Sequence, residues 1–126
     1  MKANDAMTDA TTIRRYQITR RADLPPIACP CGEARRAFVD DPDGVASLHI
    51  TEISVDAKTH YHKRLTEIYY ILEGKGHMEL DGQRHPIRPG DAILIKPGCR
   101  HRAIGKLRAL IVPIPAFDPS DEWFDI

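Results

Sequence analysis

The sequence predicts an all-β domain, and three observations support this fold class. Almost no segment places apolar residues at helical spacing over three turns. Short runs rich in Ile, Val, Leu and Tyr recur instead, separated by turn residues. The chain has 126 residues, a length typical of one domain with a single core. Eight or more short strands in such a chain indicate a β-sandwich or β-barrel.

The candidate strands follow one another with short connections. In chain order they are RRYQIT, RAFV, VASLHITEISV, TEIYYILE, HMELD, QRHPIR, DAILIK and LRALIVPI. Segments such as DDPDG, GKG, RPGD and AIGK separate them. Asp81-Gly82 lies between two alternating runs and predicts a type I′ hairpin, because that turn needs positive φ at both central residues. Pro97-Gly98 predicts a second tight turn.

The two ends of the chain differ from its middle. Residues 1–12 are polar and are predicted to form a flexible segment, which leaves 13–126 as a single domain. The C-terminal stretch PIPAFDPSDEWFDI is too rich in proline for a central strand. It carries Phe117, Trp123 and Phe124, so we expect it to pack on the barrel or on a partner. Exposed sheet edges are commonly paired, and RRYQIT and this tail are candidates for a homodimer interface.

Charge and hydropathy exclude some classes of partner. Lys plus Arg and Asp plus Glu both number 18, so no net field attracts nucleic acid or anionic lipid. The longest apolar stretches are too short to span a bilayer, and the first residues lack the apolar region of a signal peptide. We therefore expect a cytoplasmic protein whose partner is a small molecule.

The three cysteines are predicted to be reduced thiols. Cys29, Cys31 and Cys99 cannot all pair within one chain, and the Cys-Pro-Cys spacing suits an unstrained disulfide poorly. We favour a structural role for Cys29 and Cys31 over a redox or metal role. For Cys99 we favour packing over reaction near a metal.

Histidines and a carboxylate are spaced as ligands of a metal. Side chains two apart in a strand face the same way, so His60 and His62 present both imidazoles on one face. Glu67 begins the next run, and His101 follows the Pro97-Gly98 turn. Three imidazoles and one carboxylate suit Mn, Fe, Co, Ni or Zn, and a six-coordinate ion would keep two positions open for substrate. By itself, a His-x-His pair is more often a solvated strand face.

These residues resemble the two motifs of the cupin superfamily. The first, G(X)5HXH(X)3,4E(X)6G, fits from His60 onward through His62 and Glu67 to Gly74. The second, G(X)5PXG(X)2H(X)3N, fits in the register of Gly90, Gly98 and His101. All four ligand positions of the family are occupied.

Three positions depart from these motifs, and none of them is a ligand. Ser54 replaces the opening Gly, Lys96 replaces the first Pro, and Gly105 replaces the final Asn. The resemblance implies a small jelly-roll β-barrel with a divalent transition metal inside it, Mn or Fe before Zn, Ni or Co. Cupin-like domains are also commonly homodimeric.

Several further residues are candidates for the site. Tyr69 shares a face with Glu67 and is a candidate pocket acid or hydrogen-bond donor, with packing inside the barrel as the alternative. Four arginines are candidates for binding a carboxylate of the substrate, although most are expected on a solvated face: Arg35, Arg36, Arg100 and Arg102. His49, His77 and His85 fit neither motif and are not expected to be ligands, and His77 should face outward.

Three functions are compatible with the pattern. The first is a metal-dependent enzyme acting on a small oxygenated or carboxylate substrate, either dioxygenase-like or an isomerase or lyase. The second is a non-catalytic module that binds a small ligand or a metal. The third is a barrel whose histidines bind nothing, which the coincidence of four ligand positions disfavours. Fold alone does not choose among the reactions.

Overall fold

The computed structural model describes residues 15–54 and 56–126, and this part of the chain is built almost entirely from antiparallel strands. The seven strands are β1 (Ile27–Cys29), β2 (Gly32–Ala37), β3 (Leu48–Ile53), β4 (Thr66–Leu80), β5 (Gln83–Ile87), β6 (Ala92–Ile95) and β7 (His101–Ile114). Single 3-10 turns span Arg21–Asp23 and Pro119–Asp121. The all-β prediction is confirmed. Within the described ranges, no helix has the length and apolar character needed to cross a membrane.

The strands form one sheet in the order β1-β2-β3-β7-β4-β5, and β6 also pairs with β4. The centre is the pair β4 and β7, which runs from Thr66 opposite Ile114 to Leu80 opposite His101. The other edge of β4 pairs with β6 along its first half and with β5 along its second half. The sheet curves around an internal cavity of about 220 Å³ that is lined by residues of β2, β3, β4 and β7.

The predicted turn at GKG is wrong, because β4 continues through these glycines. TEIYYILE and HMELD are therefore one strand of 15 residues. A Cβ on Gly76 would lie 2.0 Å from the backbone oxygen of Ile104, and one on Gly74 would lie 2.2 Å from that of Lys106. Glycine is needed here so that β4 and β7 can approach closely. The AIGK segment likewise continues as part of β7.

The N-terminal strand predictions also need correction. Residues 15–19 of RRYQIT are not in a strand, and Arg14 lies outside the described residues. The strand expected at RAFV is shifted toward the N-terminus and ends before Phe38, whose φ is 68°. Strand β1 was not predicted, since its three residues lie between prolines and show no alternation. The predicted flexible segment, 1–12, lies outside the described residues.

The predicted tight turns and the alternation along β4 are confirmed. Asp81 and Gly82 have φ of 48° and 82° and join β4 to β5, with Leu80 opposite Gln83. Gly98 has a φ of 89° in the turn before β7. Tyr69, Ile71 and Met78 are buried in the core, whereas His77 and His85 are exposed.

The C-terminal tail packs back on the sheet, as predicted. Trp123 pairs with Tyr61 through two backbone hydrogen bonds of 2.9 Å each. The ring of Phe117 lies edge-on to His49, with 5.2 Å between the ring centroids. Phe117 and Phe124 both line the internal cavity. The tail therefore closes one side of this cavity.

Candidate metal centre

Three histidines from two parts of the chain meet beside the cavity. His60 and His62 precede β4, and His101 begins β7. Two backbone hydrogen bonds join the segments: the N–H of His60 donates to the oxygen of His101 at 3.1 Å, and that of His101 to the oxygen of His60 at 2.9 Å. One potential ligand atom from each of the three side chains lies within 4.8 Å of the other two. These imidazoles are placed to hold a metal ion.

The backbone fixes the tautomer of all three imidazoles. Nδ1 lies 3.0 Å from the oxygen of Lys58 in His60, 2.6 Å from that of Asp121 in His62, and 2.9 Å from that of Cys99 in His101. A carbonyl oxygen only accepts, so each Nδ1 carries the proton and donates it. Each neutral imidazole therefore keeps its lone pair on Nε2, the atom available to a metal.

Glu67 lies against the Nε2 atoms of two of these histidines. When both imidazoles are neutral, no proton lies between the carboxylate and either Nε2 atom. Oε1 of Glu67 lies 3.2 Å from Nε2 of His62 and 3.2 Å from Nε2 of His101, and the residue is only 6% exposed. Among the described residues, the buried Nε2 of His62 has no hydrogen-bond partner with acceptable geometry. Lone pairs that face a carboxylate at this distance repel it unless a cation or an added proton intervenes. The site therefore fits a divalent transition metal.

In the metal-free cluster the pKa of Glu67 and the pKa of His62 shift in opposite directions. Burial favours the neutral form of Glu67, but the imidazoles of His101 and His62 outweigh it and lower the pKa of this carboxyl to about 2. Burial likewise disfavours a charged His62, but the adjacent Glu67 carboxylate raises the pKa of this imidazole above its ordinary value. Glu67 is therefore ionised at neutral pH and can pair with a cation.

Asp121 is a buried residue beside the candidate metal centre that the sequence reasoning did not identify. Its carboxylate is 4% exposed and accepts backbone N–H bonds from Lys63, Arg64 and Leu65 at 2.9 to 3.0 Å, and from Nε1 of Trp123 at 3.1 Å. Burial opposes its ionisation, but these N–H donors lower the pKa of Asp121 to about 2. Because its own backbone oxygen accepts from His62, Asp121 ties the tail to a predicted ligand. A lone Asp between Ser120 and Glu122 gives little local signal of this role.

The cavity beside the histidines has an apolar wall and a few polar groups. Tyr69 lies edge-on to His101, with ring centroids 6.4 Å apart. Burial, followed by the charge of Glu67, raises the pKa of Tyr69 well above its ordinary value, so this side chain remains a neutral phenol with a proton to donate. Glu122 also lines the cavity. The lining thus includes a proton donor and a further carboxylate.

The structure separates Arg36 from the other three candidate arginines. Arg35 donates to the backbone oxygens of Arg21 and Leu24 at 3.1 and 2.8 Å. Arg100 pairs with Asp125, and Arg102 pairs with Glu79, both at 2.9 Å. Only Arg36 of the four lines the cavity.

The cysteines are free thiols, and burial keeps two of them protonated. Sγ of Cys29 and Sγ of Cys31 lie 2.8 Å apart in the turn between β1 and β2. Burial and the neighbouring Cys29 raise the pKa of Cys31 to about 12. Cys99 packs against the hydrophobic core, and burial also raises its pKa. Neither Cys31 nor Cys99 has the low pKa of a reactive thiol.

Comparison with known proteins gives matches in sequence and in fold. The cupin domain model matches residues 49–111, half of the chain. A solved protein from Planctomyces limnophilus is 40% identical and superposes with a TM-score of 0.82, over 86% of this chain and 96% of that one. The L-ectoine synthase of Halomonas elongata is 35% identical over 72 residues, 55% of this chain and 53% of that enzyme. The chain therefore spans about half the length of this curated relative.

A more distant structure shares the fold alone. The nucleoside dehydratase Pac13 from Streptomyces is 19% identical, with a TM-score of 0.74 over 86% of this chain and 89% of that protein. The matched family segment contains all four predicted ligands, and the solved structures confirm the predicted jelly-roll β fold. The chain belongs to the cupin family.

Proposed function

We propose that this protein is a metal-dependent enzyme for a small oxygenated or carboxylate substrate, with His60, His62, Glu67 and His101 as the metal ligands. One observation carries the proposal. Three backbone carbonyls hold three imidazoles in the Nδ1–H tautomer, so the Nε2 lone pairs of His62 and His101 face the Glu67 carboxylate at 3.2 Å. Neutral imidazoles in this orientation cannot donate to Glu67, and a metal ion between their lone pairs and the carboxylate would satisfy all of these groups.

The donor set suits Mn²⁺ or Fe²⁺, with Zn²⁺, Ni²⁺ and Co²⁺ as alternatives. Such an ion, when bound, supplies a Lewis acid for a substrate oxygen. The protein then contributes Tyr69 and Glu122, which line the same cavity as His60 and Glu67. Tyr69, held as a neutral phenol, donates a hydrogen bond to the oxygen on which negative charge develops. Glu122 accepts a proton from the substrate carbon.

This pair of groups favours lyase or isomerase chemistry over the dioxygenase alternative. Removal of water or movement of a double bond needs a proton acceptor and a donor beside the substrate, and Glu122 and Tyr69 fill these roles. Two similar proteins, an ectoine synthase and a nucleoside dehydratase, have names that indicate non-oxidative chemistry. We infer a reaction of the same broad kind on a molecule small enough for a cavity of about 220 Å³.

The proposal is tested first by elemental analysis of protein purified without a chelating tag. We expect about one divalent transition ion per chain, and its loss in His60→Ala but not in the matched variant His85→Ala, whose imidazole is exposed on β5. The loaded protein is then incubated with a panel of small hydroxy acids and polyols. Proton NMR follows loss of water or isomerisation, and an oxygen electrode follows uptake of dioxygen.

The outcomes separate the functions considered for this chain. Metal-dependent turnover without oxygen uptake supports a lyase or isomerase. Oxygen uptake coupled to turnover would favour the dioxygenase alternative. A metal-replete protein that converts nothing in a broad panel would favour the binding module. Absence of stoichiometric metal in the wild-type protein would contradict the proposal as a whole.

We further propose a cytoplasmic homodimer. The free thiols Cys29, Cys31 and Cys99 fit a reducing compartment. The tail packs on its own chain, which leaves the segment of residues 15–20 as the stronger candidate for an interface. Tyr16 and Ile18 in that segment are 77% and 85% exposed. Light scattering after size exclusion should give twice the 14.2 kDa chain mass, and Ile18→Asp should shift it toward the monomer.

A further inference from the structure

Arg36 lies on the wall of the cavity that β2 and β3 form. The pairing of these strands places Arg36 directly opposite His49, and both side chains line the cavity. The guanidinium carbon of Arg36 lies over the ring of Phe117, 4.8 Å from its centroid. That ring is fixed in turn, because the backbone N–H of Phe117 donates to Oγ of Ser47 at 2.9 Å. The guanidinium is therefore held in place by stacking.

This cation forms no ion pair with a described residue. Among residues 15–54 and 56–126, no Asp or Glu lies within 4 Å of the Arg36 guanidinium. Its Nε is buried and makes no hydrogen bond to any of these residues. A half-buried guanidinium whose Nε finds no acceptor among the described residues carries a desolvation cost that a bound anion would relieve.

The imidazole of His49, opposite Arg36, carries no positive charge at pH 7. Burial, together with the charge of Arg36, lowers the pKa of His49 to about 4, so His49 is neutral at pH 7. Its Nε2 lies 3.0 Å from Oγ of Ser47, within hydrogen-bond distance. Arg36 therefore supplies the positive charge on this wall, and His49 keeps the wall polar without repelling a second cation.

The charge balance of the whole cavity also favours binding of an anion. Its described lining holds two cations, Arg36 and Lys58, and two carboxylates, Glu67 and Glu122. These charges balance formally while the imidazoles are neutral. A bound divalent ion would leave the cavity with two positive charges in excess, and a low-dielectric cavity with excess charge attracts the opposite sign.

We infer that the substrate carries an oxyanion, either a carboxylate or a phosphate ester, and that Arg36 is the specificity-determining residue that binds it. The guanidinium fork matches either oxyanion through two parallel hydrogen bonds. The inference rests on the proposed function, since it assigns the second anchoring point of the same substrate. The cavity volume of about 220 Å³ suits a small molecule.

The test compares anions with a neutral analogue of the same size. L-lactate, L-lactamide and inorganic phosphate are titrated against wild-type protein, Arg36→Gln, Arg36→Lys and the control Arg88→Gln. Arg88 is exposed and lies outside this cavity. Apparent affinities come from ligand-induced thermal shifts, measured with metal-free and with Mn²⁺-loaded protein, and metal content is determined for each sample. The melting temperature without ligand verifies that each variant is folded.

We expect at least one of the two anions to bind wild-type protein and Arg88→Gln with equal affinity. Binding to Arg36→Gln should be about 10- to 100-fold weaker, the loss typical of hydrogen bonds to a charged group. Arg36→Lys should be intermediate, and lactamide should not distinguish the variants. An effect on lactate alone identifies a carboxylate, and an effect on phosphate alone identifies a phosphate ester.

Two results would overturn the inference. The first is equal affinity of wild-type protein and Arg36→Gln for both anions, and the second is no anion binding to Mn²⁺-loaded wild-type protein. Failure of the proposed function has a different signature, because wild-type protein would then contain and bind no metal. Arg36-dependent anion binding by the metal-free protein would still be measurable in that case, so the two failures are distinguishable.

Discussion

Replacement of Asp121 by asparagine tests whether the C-terminal tail organises the candidate metal centre. The side chains are nearly isosteric, so the change removes charge and acceptor capacity with little change in volume. In the wild-type protein the carboxylate accepts four N–H donors, three of them from the backbone of residues 63–65. An amide keeps one oxygen, so the donors that face its NH₂ group lose their acceptor.

The expected destabilisation follows from these contacts. Two buried donors without an acceptor cost about 1–3 kcal/mol each, and the remaining bonds to the amide oxygen lose their charge assistance. We expect a net loss of about 3–5 kcal/mol, because the four bonds act on one loop and are not additive. For a domain of this size that loss corresponds to a fall in melting temperature of roughly 10–20 °C. Affinity for Mn²⁺ should fall about 10- to 100-fold, because the loosened tail would hold the backbone oxygen of residue 121 less firmly against Nδ1 of His62.

The assay measures both quantities in the same variants. Thermal unfolding is followed by circular dichroism without metal, and Mn²⁺ affinity is followed by electron paramagnetic resonance of the free ion. Asp125→Asn is the matched control, because Asp125 is in the same tail but pairs with Arg100 at the surface. It should leave both values nearly unchanged. Equal melting temperature and equal Mn²⁺ affinity of wild type and Asp121→Asn would refute the reasoning.

Three further results are expected. Mn²⁺ at 100 times its Kd should stabilise a one-site protein by about 2.7 kcal/mol. His101→Ala should abolish this stabilisation, whereas His77→Ala should retain it. Stabilisation of both variants by Mn²⁺ would exclude His101 as a ligand. The folded pKa of Asp121, about 2, lies below its ordinary 3.8, so its contribution to stability is complete above about pH 4 and is lost as the pH falls toward 2. The loss of stability from pH 5 to pH 2, measured by urea unfolding, should therefore be steeper for wild type than for Asp121→Asn, and parallel curves would contradict this assignment. Tyr69→Phe should keep its metal but lower turnover about 100-fold or more, and unchanged turnover would leave Tyr69 with a packing role alone.

The features predicted from sequence are those that neighbouring residues determine. The Asp81-Gly82 hairpin follows from the φ angles that its turn type requires. The burial of Tyr69 and Ile71 follows from alternation along a strand. The wrong prediction of a turn at GKG arises from a contact with another strand, which the local sequence does not show. Gly76 is needed because the backbone oxygen of Ile104, on another strand, lies where a Cβ would be, and no local pattern distinguishes such a glycine from one in a turn.

The residues of the candidate site also fall into those predicted from local sequence and those that only the fold brings together. The spacing of the His-x-His pair and of Glu67 can be read within one segment, and the motif register supplies His101. Asp121 reaches His62 across 59 positions, and Arg36 meets Phe117 only because the tail folds over the cavity. A pattern in one sequence does not show contacts of this kind. The sequence does not distinguish the four candidate arginines, and the structure shows that Arg36 lines the cavity.

Two of the three departures from the cupin motifs, Lys96 and Gly105, are tolerated for a structural reason. Backbone oxygens of Lys58, Cys99 and Asp121 orient the imidazoles, so their placement depends on loop shape rather than on the motif side chains. Lys96 stands in place of proline, yet its oxygen still accepts from the N–H of Cys99 at 3.2 Å, and the N–H of Gly98 donates to the backbone oxygen of His62 at 2.8 Å. The turn that presents His101 is thus secured by the positive φ of Gly98.

Gly105 is the second departure, and the close approach of two backbones explains it. It replaces the Asn that ends the second motif, and its φ is 107°. A Cβ at this position would lie 2.9 Å from the backbone oxygen of Lys75 and 3.0 Å from Cα of Gly76. Since two glycines face each other where β4 and β7 approach, a side chain on either strand would separate them. That separation would shift His101, at the start of β7, relative to Glu67, near the start of β4. Substitution of Gly105 should therefore weaken metal binding at the candidate centre without touching a predicted ligand.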